Sequence, residues 1–153
     1  MQSTSNKAPD TSSKKLVECL QGELTAVEAY ELALQSITHV GMHNELQQAL
    51  ESHAKRSEKL RDTLQKLGAE VPEGTGMRGA VTKAIQAGAD VLGERPAIAA
   101  LEAGEDRLVR MYAEGLDGLD SSTKTLIERD LRAEQQKTHD LCKAIKDYSR
   151  KPS

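Results

Sequence analysis

At 153 residues, 29% of them charged and 37% apolar, the chain is long enough for one domain with its own core. It has neither Phe nor Trp, so the core must be aliphatic, with three Tyr as its only aromatics. A net charge of -3 without a basic stripe argues against a nucleic-acid partner, and no apolar run nears the roughly 20 residues of a membrane span. Gly and Pro cluster outside the periodic segments, which favours an all-α fold over strands.

Residues 1–13 are polar and read as a disordered tail, leaving residues 14–149 as the domain. No apolar leader is visible at the start, and Cys19 and Cys142 form no CxxC pair. A cytoplasmic protein with two packed thiols, unbridged within one chain, is the expectation. Helix 1 can be capped by Asp10, Thr11 or Ser12 and is predicted to run to about Thr38. Its apolar seam is Leu16, Leu20, Glu23, Val27, Tyr30, Leu34 and Ile37, with steps alternating between four and three. Gly41 is expected to break the chain in a short link, which makes helix 2 antiparallel to helix 1.

Helix 2 is predicted over about Asn44 to Lys66, with the seam Leu46, Leu50, His53, Ser57, Leu60, Leu64 and Leu67, and Gly68 as its stop. Lys55, Arg56, Glu58 and Lys59 read as its solvated face. A long connection follows, rich in Gly and Pro at its start, with a short extra helix within Met77 to Leu92. Pro96 suits the first turn of helix 3, which continues to about Leu116 along the seam Leu101, Glu105, Leu108 and Tyr112. Helix 4 starts at Asp120-Ser121-Ser122, with the seam Ile127, Leu131, Glu134, Thr138, Leu141, Ile145 and Tyr148. A connection as long as that between helices 2 and 3 predicts a crossover bundle in which helices 1 and 4 run parallel.

Each long helix therefore carries one ionisable residue on its inner seam: Glu23, His53, Glu105 and Glu134. Counting from the turns at about 1.5 Å per residue leaves the four within roughly two turns of a common level. A carboxylate on an apolar face must find protons, hydrogen bonds or a metal. Carboxylates and an imidazole facing one another inside a bundle can ligate iron or manganese.

Gly22-Glu23 with Tyr30, and Gly104-Glu105 with Tyr112, resemble the helix 1 and helix 3 carboxylate motifs of the ferritin-like superfamily, as in bacterioferritin and rubrerythrin. Gln21-Gly22-Glu23, Glu102-x-Gly104-Glu105-Asp106 and Thr138-His139-Asp140 are closer to an uncharacterised bacterial family of ferritin-like bundles, a domain of unknown function. The resemblance implies a ferritin-like four-helix bundle with a long crossover containing a short extra helix. It also implies a metal site, with Glu23, His53, Glu105 and Glu134 as ligands and His139 as second choice. The di-iron members place Glu-x-x-His on helices 2 and 4. Here those helices offer Leu50-x-x-His53 and Glu134-x-x-Lys137, so both pairs are broken.

Two functions follow as expectations. The favoured one is a helical structural, interaction or stress-related protein whose buried carboxylates form a metal-free network with Tyr30 and Tyr112. In such a network at least one carboxylate is expected to be protonated near neutral pH, and Gln at both positions to be tolerated. The alternative is a metal-binding protein with iron or manganese and oxidase or iron-handling chemistry. Self-association is also expected, from apolar residues left off the seams, among them Val17, Leu32 and Ile98.

Overall fold

The computed structural model describes residues 10–74 and 93–151, and every regular element among them is helical. Helix α1 spans Thr11–Leu34, α2 Val40–Lys66 and α3 Glu94–Ala113. The fourth helix is built of α4 (Ser121–Thr125), a π-helical turn (Leu126–Leu131) and α5 (Arg132–Ser149). Among the described residues, no helix is long and apolar enough to cross a membrane. The short helix expected within Met77 to Leu92 lies outside the described residues.

Local chemistry fixes the ends. Asp10 caps α1 by accepting from the Ser13 N–H at 2.6 Å, and Asp120 caps α4 through the Thr123 N–H at 2.8 Å. Residues 11–13 thus belong to the first turn of α1 and not to a tail. Gly68 takes a left-handed φ of +68° after α2. Its N–H donates to the Gln65 carbonyl and that of Ala69 to the Leu64 carbonyl, both at 3.0 Å, which closes the helix in a Schellman motif. The first turn is tighter than the sequence suggests. His39 Nδ1 accepts from the Met42 N–H at 3.2 Å and so starts α2 at Val40, with Gly41 inside its first turn and not at a break. Helix α1 correspondingly stops at Leu34, short of Thr38.

Hydrogen bonds between elements give the helix directions. Asp120 N–H donates to Ser12 Oγ, so α1 and the fourth helix start side by side and run parallel. The Thr38 and His39 N–H groups donate to Glu94 Oε1, at 2.6 and 3.2 Å, so α2 and α3 also start side by side. Helix α2 then carries the chain away over 27 residues, roughly 40 Å. Leu67 therefore lies at the opposite end of the bundle from Gly93, and α2 and α3 run parallel. At the far end, the buried Lys15 ammonium donates to the Met111 carbonyl at 2.6 Å, placing a cation at the C-terminus of α3.

Two apolar clusters fill the bundle. One gathers Tyr30, Ala33, Ile37, Met42, Leu46, Ala49, Ala97, Ile98, Leu101, Cys142 and Ile145. The other holds Leu16, Cys19, Leu20, Leu60, Leu64, Tyr112, Ile127 and Leu131. Each fully buried Leu or Ile contributes about 1.5–3 kcal/mol. Cys19 and Cys142 lie in different clusters, both buried and free. Burial pushes each thiol up to about 12.

The fourth helix departs from the expected seam. Its buried residues are Thr123, Ile127, Leu131, Gln135, Thr138, Cys142 and Ile145. The three opening steps of four reflect the π-helical turn, which inserts extra residues per turn and advances the inward face by one. Gln135 therefore points inward where Glu134 was expected, and Cys142 replaces Leu141. Tyr148, also expected inside, is 55% exposed and lies edge-on to His39 with ring centroids 5.9 Å apart.

Candidate functional site

Between the two clusters lies a polar layer to which all four helices contribute. Helix α1 supplies Glu23, α2 supplies His53 and Arg56, α3 supplies Glu105, and the fourth helix supplies Gln135 and Thr138. None of these six residues is more than 4% exposed. His53 is the hub. Its Nδ1 lies 2.7 Å from Glu23 Oε2 and its Nε2 lies 2.8 Å from Glu105 Oε1. The imidazole thus bridges the two carboxylates, one per ring nitrogen, an arrangement that the doubly protonated ring satisfies.

The tyrosines complete the carboxylate shells across the bundle. Tyr112 Oη donates to Glu23 Oε1 at 2.5 Å, and Tyr30 Oη donates to Glu105 Oε1 at 2.6 Å. Each tyrosine therefore serves the carboxylate of the opposite helix. The crossing is possible because α1 and α3 are antiparallel and each carries Tyr seven residues after its Glu. Gly22, beside Glu23, lets the helices close together: a Cβ there would meet Met111 Sδ at 2.9 Å and Leu108 Cδ2 at 3.0 Å. Gly104, its counterpart beside Glu105, has no such neighbour within 4 Å.

Arg56 was expected in solvent and is instead 3% exposed. Its Nη1 donates to Gln135 Oε1 at 2.7 Å and its Nη2 to Thr138 Oγ1 at 3.1 Å. Nη2 also lies 2.7 Å from His53 Nδ1, a contact that the doubly protonated ring turns into donor against donor, and Nε lies 3.5 Å from Glu23 Oε1. Gln135 Nε2 donates in turn to Glu105 Oε2 at 2.6 Å, and Thr138 Oγ1 lies 3.1 Å from the same oxygen. The guanidinium so ties α2 to α1 and to the fourth helix.

Electrostatics follow from these contacts. Burial pushes His53 down, but its bonds to Glu105 and Glu23 outweigh that and hold it above its ordinary value. Burial pushes Glu105 up, but the His53 bond and charge, Tyr30 and Arg56 outweigh it and hold the carboxyl below its ordinary range. Burial and the Glu105 charge raise Tyr30 well above a normal phenol, and burial and the Glu23 charge do the same for Tyr112. Both remain donors. Two carboxylates face two cations, the imidazolium and the guanidinium, and their formal charges cancel. The expectation that at least one of the two carboxylates is protonated was argued without Arg56, whose charge offsets theirs.

Of the sequence candidates, Glu23, His53 and Glu105 come together and Glu134 does not. Its side chain is 47% exposed and pairs with Lys137 at 2.9 Å. His139 is also apart from the layer. Its Nε2 lies 2.7 Å from Asp106 Oδ1 and ties α5 to α3. Burial lowers His139, and the Asp106 and Asp140 carboxylates outweigh it, so this ring too is held above its ordinary value. The sequence reading missed Arg56, Gln135 and the role of Thr138. For Arg56 a signal existed: positions 53, 56, 57 and 60 follow the i, i+3, i+4, i+7 spacing of a buried stripe. A cavity of about 260 Å³ between α2 and the fourth helix, lined by Glu51, Lys55, Lys59, Asp130 and Glu134, reaches the layer at Arg56.

A family described as a domain of unknown function (DUF2383) matches residues 11–118. The match covers α1, α2 and α3 with Glu23, Tyr30, His53, Arg56, Glu105 and Tyr112, and ends before Gln135 and Thr138. Neither the curated proteins nor the solved structures include a match to the chain. With more than half of its residues matched, the chain belongs to the DUF2383 family, a domain of unknown function.

Proposed function

We propose that the chain is a ferritin-like bundle that has kept the topology without the metal chemistry, and that it acts as a helical structural or interaction protein. The observation that carries this reading is Arg56. A cation is already built into the centre of the layer by a covalently attached side chain, bonded to groups from two other helices. The donor atoms are spent on one another: both ring nitrogens of His53, and both oxygens of each carboxylate, have side-chain partners. Among the described residues, no three His, Cys, Asp or Glu side chains are disposed to hold a metal ion. The ferritin-like part rests on the parallel first and fourth helices and the long second connection. A layer of this kind fixes helix register, because sliding any helix would strand a buried charge.

The competing reading is iron or manganese bound by Glu23, His53 and Glu105, with oxidase or iron-handling chemistry. It requires Arg56 to leave the layer and His53 to surrender a proton. Elemental analysis of protein purified without chelators separates the two. We expect metal far below one ion per chain, whereas near-stoichiometric iron or manganese would overturn the proposal. A cytoplasmic setting and self-association belong to the same proposal. Of the apolar residues read as left off the seams, Ile98 lies in the core, Val17 packs on the second cluster and Leu32 is half-buried. Among the described residues, the exposed large apolar side chains are Val40, Leu67 and Tyr148. Light scattering at high concentration gives the oligomeric state directly.

A further inference from the structure

The polar layer has a pattern of its own. Two helices, α1 and α3, each give one inward carboxylate, Glu23 and Glu105. The other two each give an inward pair three residues apart, His53-x-x-Arg56 and Gln135-x-x-Thr138. A di-metal carboxylate bundle is built on one Glu from each of two helices and Glu-x-x-His from each of the others. The six positions of this layer have that distribution and spacing. The two single carboxylates are present and all four members of the pairs are exchanged.

We infer that the layer is a two-cation ligand frame in which four residues have been replaced and the Arg56 guanidinium takes the place of the ions. This rests on the metal-free reading above. The replacements are chemically coordinated. Exchanging two carboxylates for His53 and Gln135 removes two negative charges. Exchanging two imidazoles for Arg56 and Thr138 adds one fixed positive charge and a hydroxyl. The guanidinium and imidazolium then neutralise Glu23 and Glu105 where two divalent ions would otherwise face four carboxylates. Gln135 keeps the shape of a Glu and uses it to relay between the guanidinium and Glu105, accepting from Arg56 at Oε1 and donating from Nε2. The tyrosine bonds to Glu23 and Glu105 hold both carboxylates in place whichever cation they face. The cavity over Arg56, walled by Glu51, Asp130 and Glu134 together with Lys55 and Lys59, opens the layer to the outside.

The test restores the frame. A variant carrying His53→Glu, Arg56→His, Gln135→Glu and Thr138→His is titrated with cobalt(II), read by visible absorption and by metal-to-protein ratio after gel filtration. The expected result is two cobalt ions per chain in the variant and none in the wild type, with uptake abolished by adding Glu23→Ala and Glu105→Ala. Arg56→His alone is the second variant. It leaves two carboxylates and two imidazoles and is expected to take up one ion. Far-UV circular dichroism with and without cobalt accompanies both. A variant that is unfolded alone and folds on adding cobalt supports the inference. Variants that take up no more cobalt than the wild type, whether folded or still unfolded in its presence, overturn it. A wild-type chain that itself loads stoichiometric cobalt would instead overturn the metal-free reading, so the two failures are distinct.

Discussion

The apolar clusters and the polar layer between them stand on the same four helices, yet they respond to change by different rules. In the clusters, side chains such as Leu60 and Ile127 interact without direction, and a loss scales with the volume removed. In the layer, six side chains and two tyrosines are linked by directed bonds between 2.5 and 3.1 Å. Removing one member strands a charge whose partner stays buried. The clusters hold the helices together, and the layer dictates which helix sits where. Stability alone would not require such a layer, because a buried ion network replaced as a whole by apolar groups is often no less stable.

This contrast ranks the expected effects of substitution. Arg56→Met keeps most of the stem and deletes the charge. It should cost about 3–5 kcal/mol in urea denaturation, since Glu23 and Gln135 lose their partner. The pair Glu23→Gln and Glu105→Gln should be similarly damaging, because it strands Arg56 in turn. That reverses the tolerance expected when only the carboxylates were counted. Leu60→Ala, wholly inside the second cluster, should cost about 2–5 kcal/mol, depending on how far the cavity collapses. A cost of Arg56→Met under about 1 kcal/mol would erase the distinction between layer and cluster.

Smaller changes sharpen it. Tyr112→Phe removes one donor to Glu23 and leaves the ring in place, so a loss of about 1–3 kcal/mol is expected by thermal or urea unfolding. Glu134→Ala should lie within about 0.5 kcal/mol of the wild type, because its pair with Lys137 is exposed. A large effect there would restore the residue to the layer.

The same contrast explains what was legible in the sequence. Helix periodicity and caps located the four helices, and the long link between Gly68 and Pro96 announced the parallel pair, because both follow from local chemistry and chain length. Glu23, His53 and Glu105 stood out as charged residues on apolar seams. Arg56 did not, because it sits among Lys55, Glu58 and Lys59 and its stem can as easily reach solvent as the core. Gln135 was hidden by the π-helical turn, which no composition signal marks and which moves the inward face past Glu134. The His39 cap lay outside the usual set of capping residues.

The central claim is that the layer is closed by protonated side chains and not by a metal, and the His53 ring reports on it most directly. A proton on each nitrogen satisfies both carboxylates and sets Nδ1 against the Arg56 Nη2 donor, whereas a metal ligand must offer a lone pair. Nitrogen-15 NMR of the histidine side chains at pH 6 should show both His53 nitrogens protonated, with the ring titrating above its ordinary value. Since the folded value is raised, His53 contributes its full stabilisation below the unfolded histidine value of about 6.5 and loses it as pH rises through the folded value. Unfolding free energy should therefore fall on the alkaline side in step with the ring signal. A His53 ring with one unprotonated nitrogen at pH 6, and no alkaline loss of stability, would contradict the account.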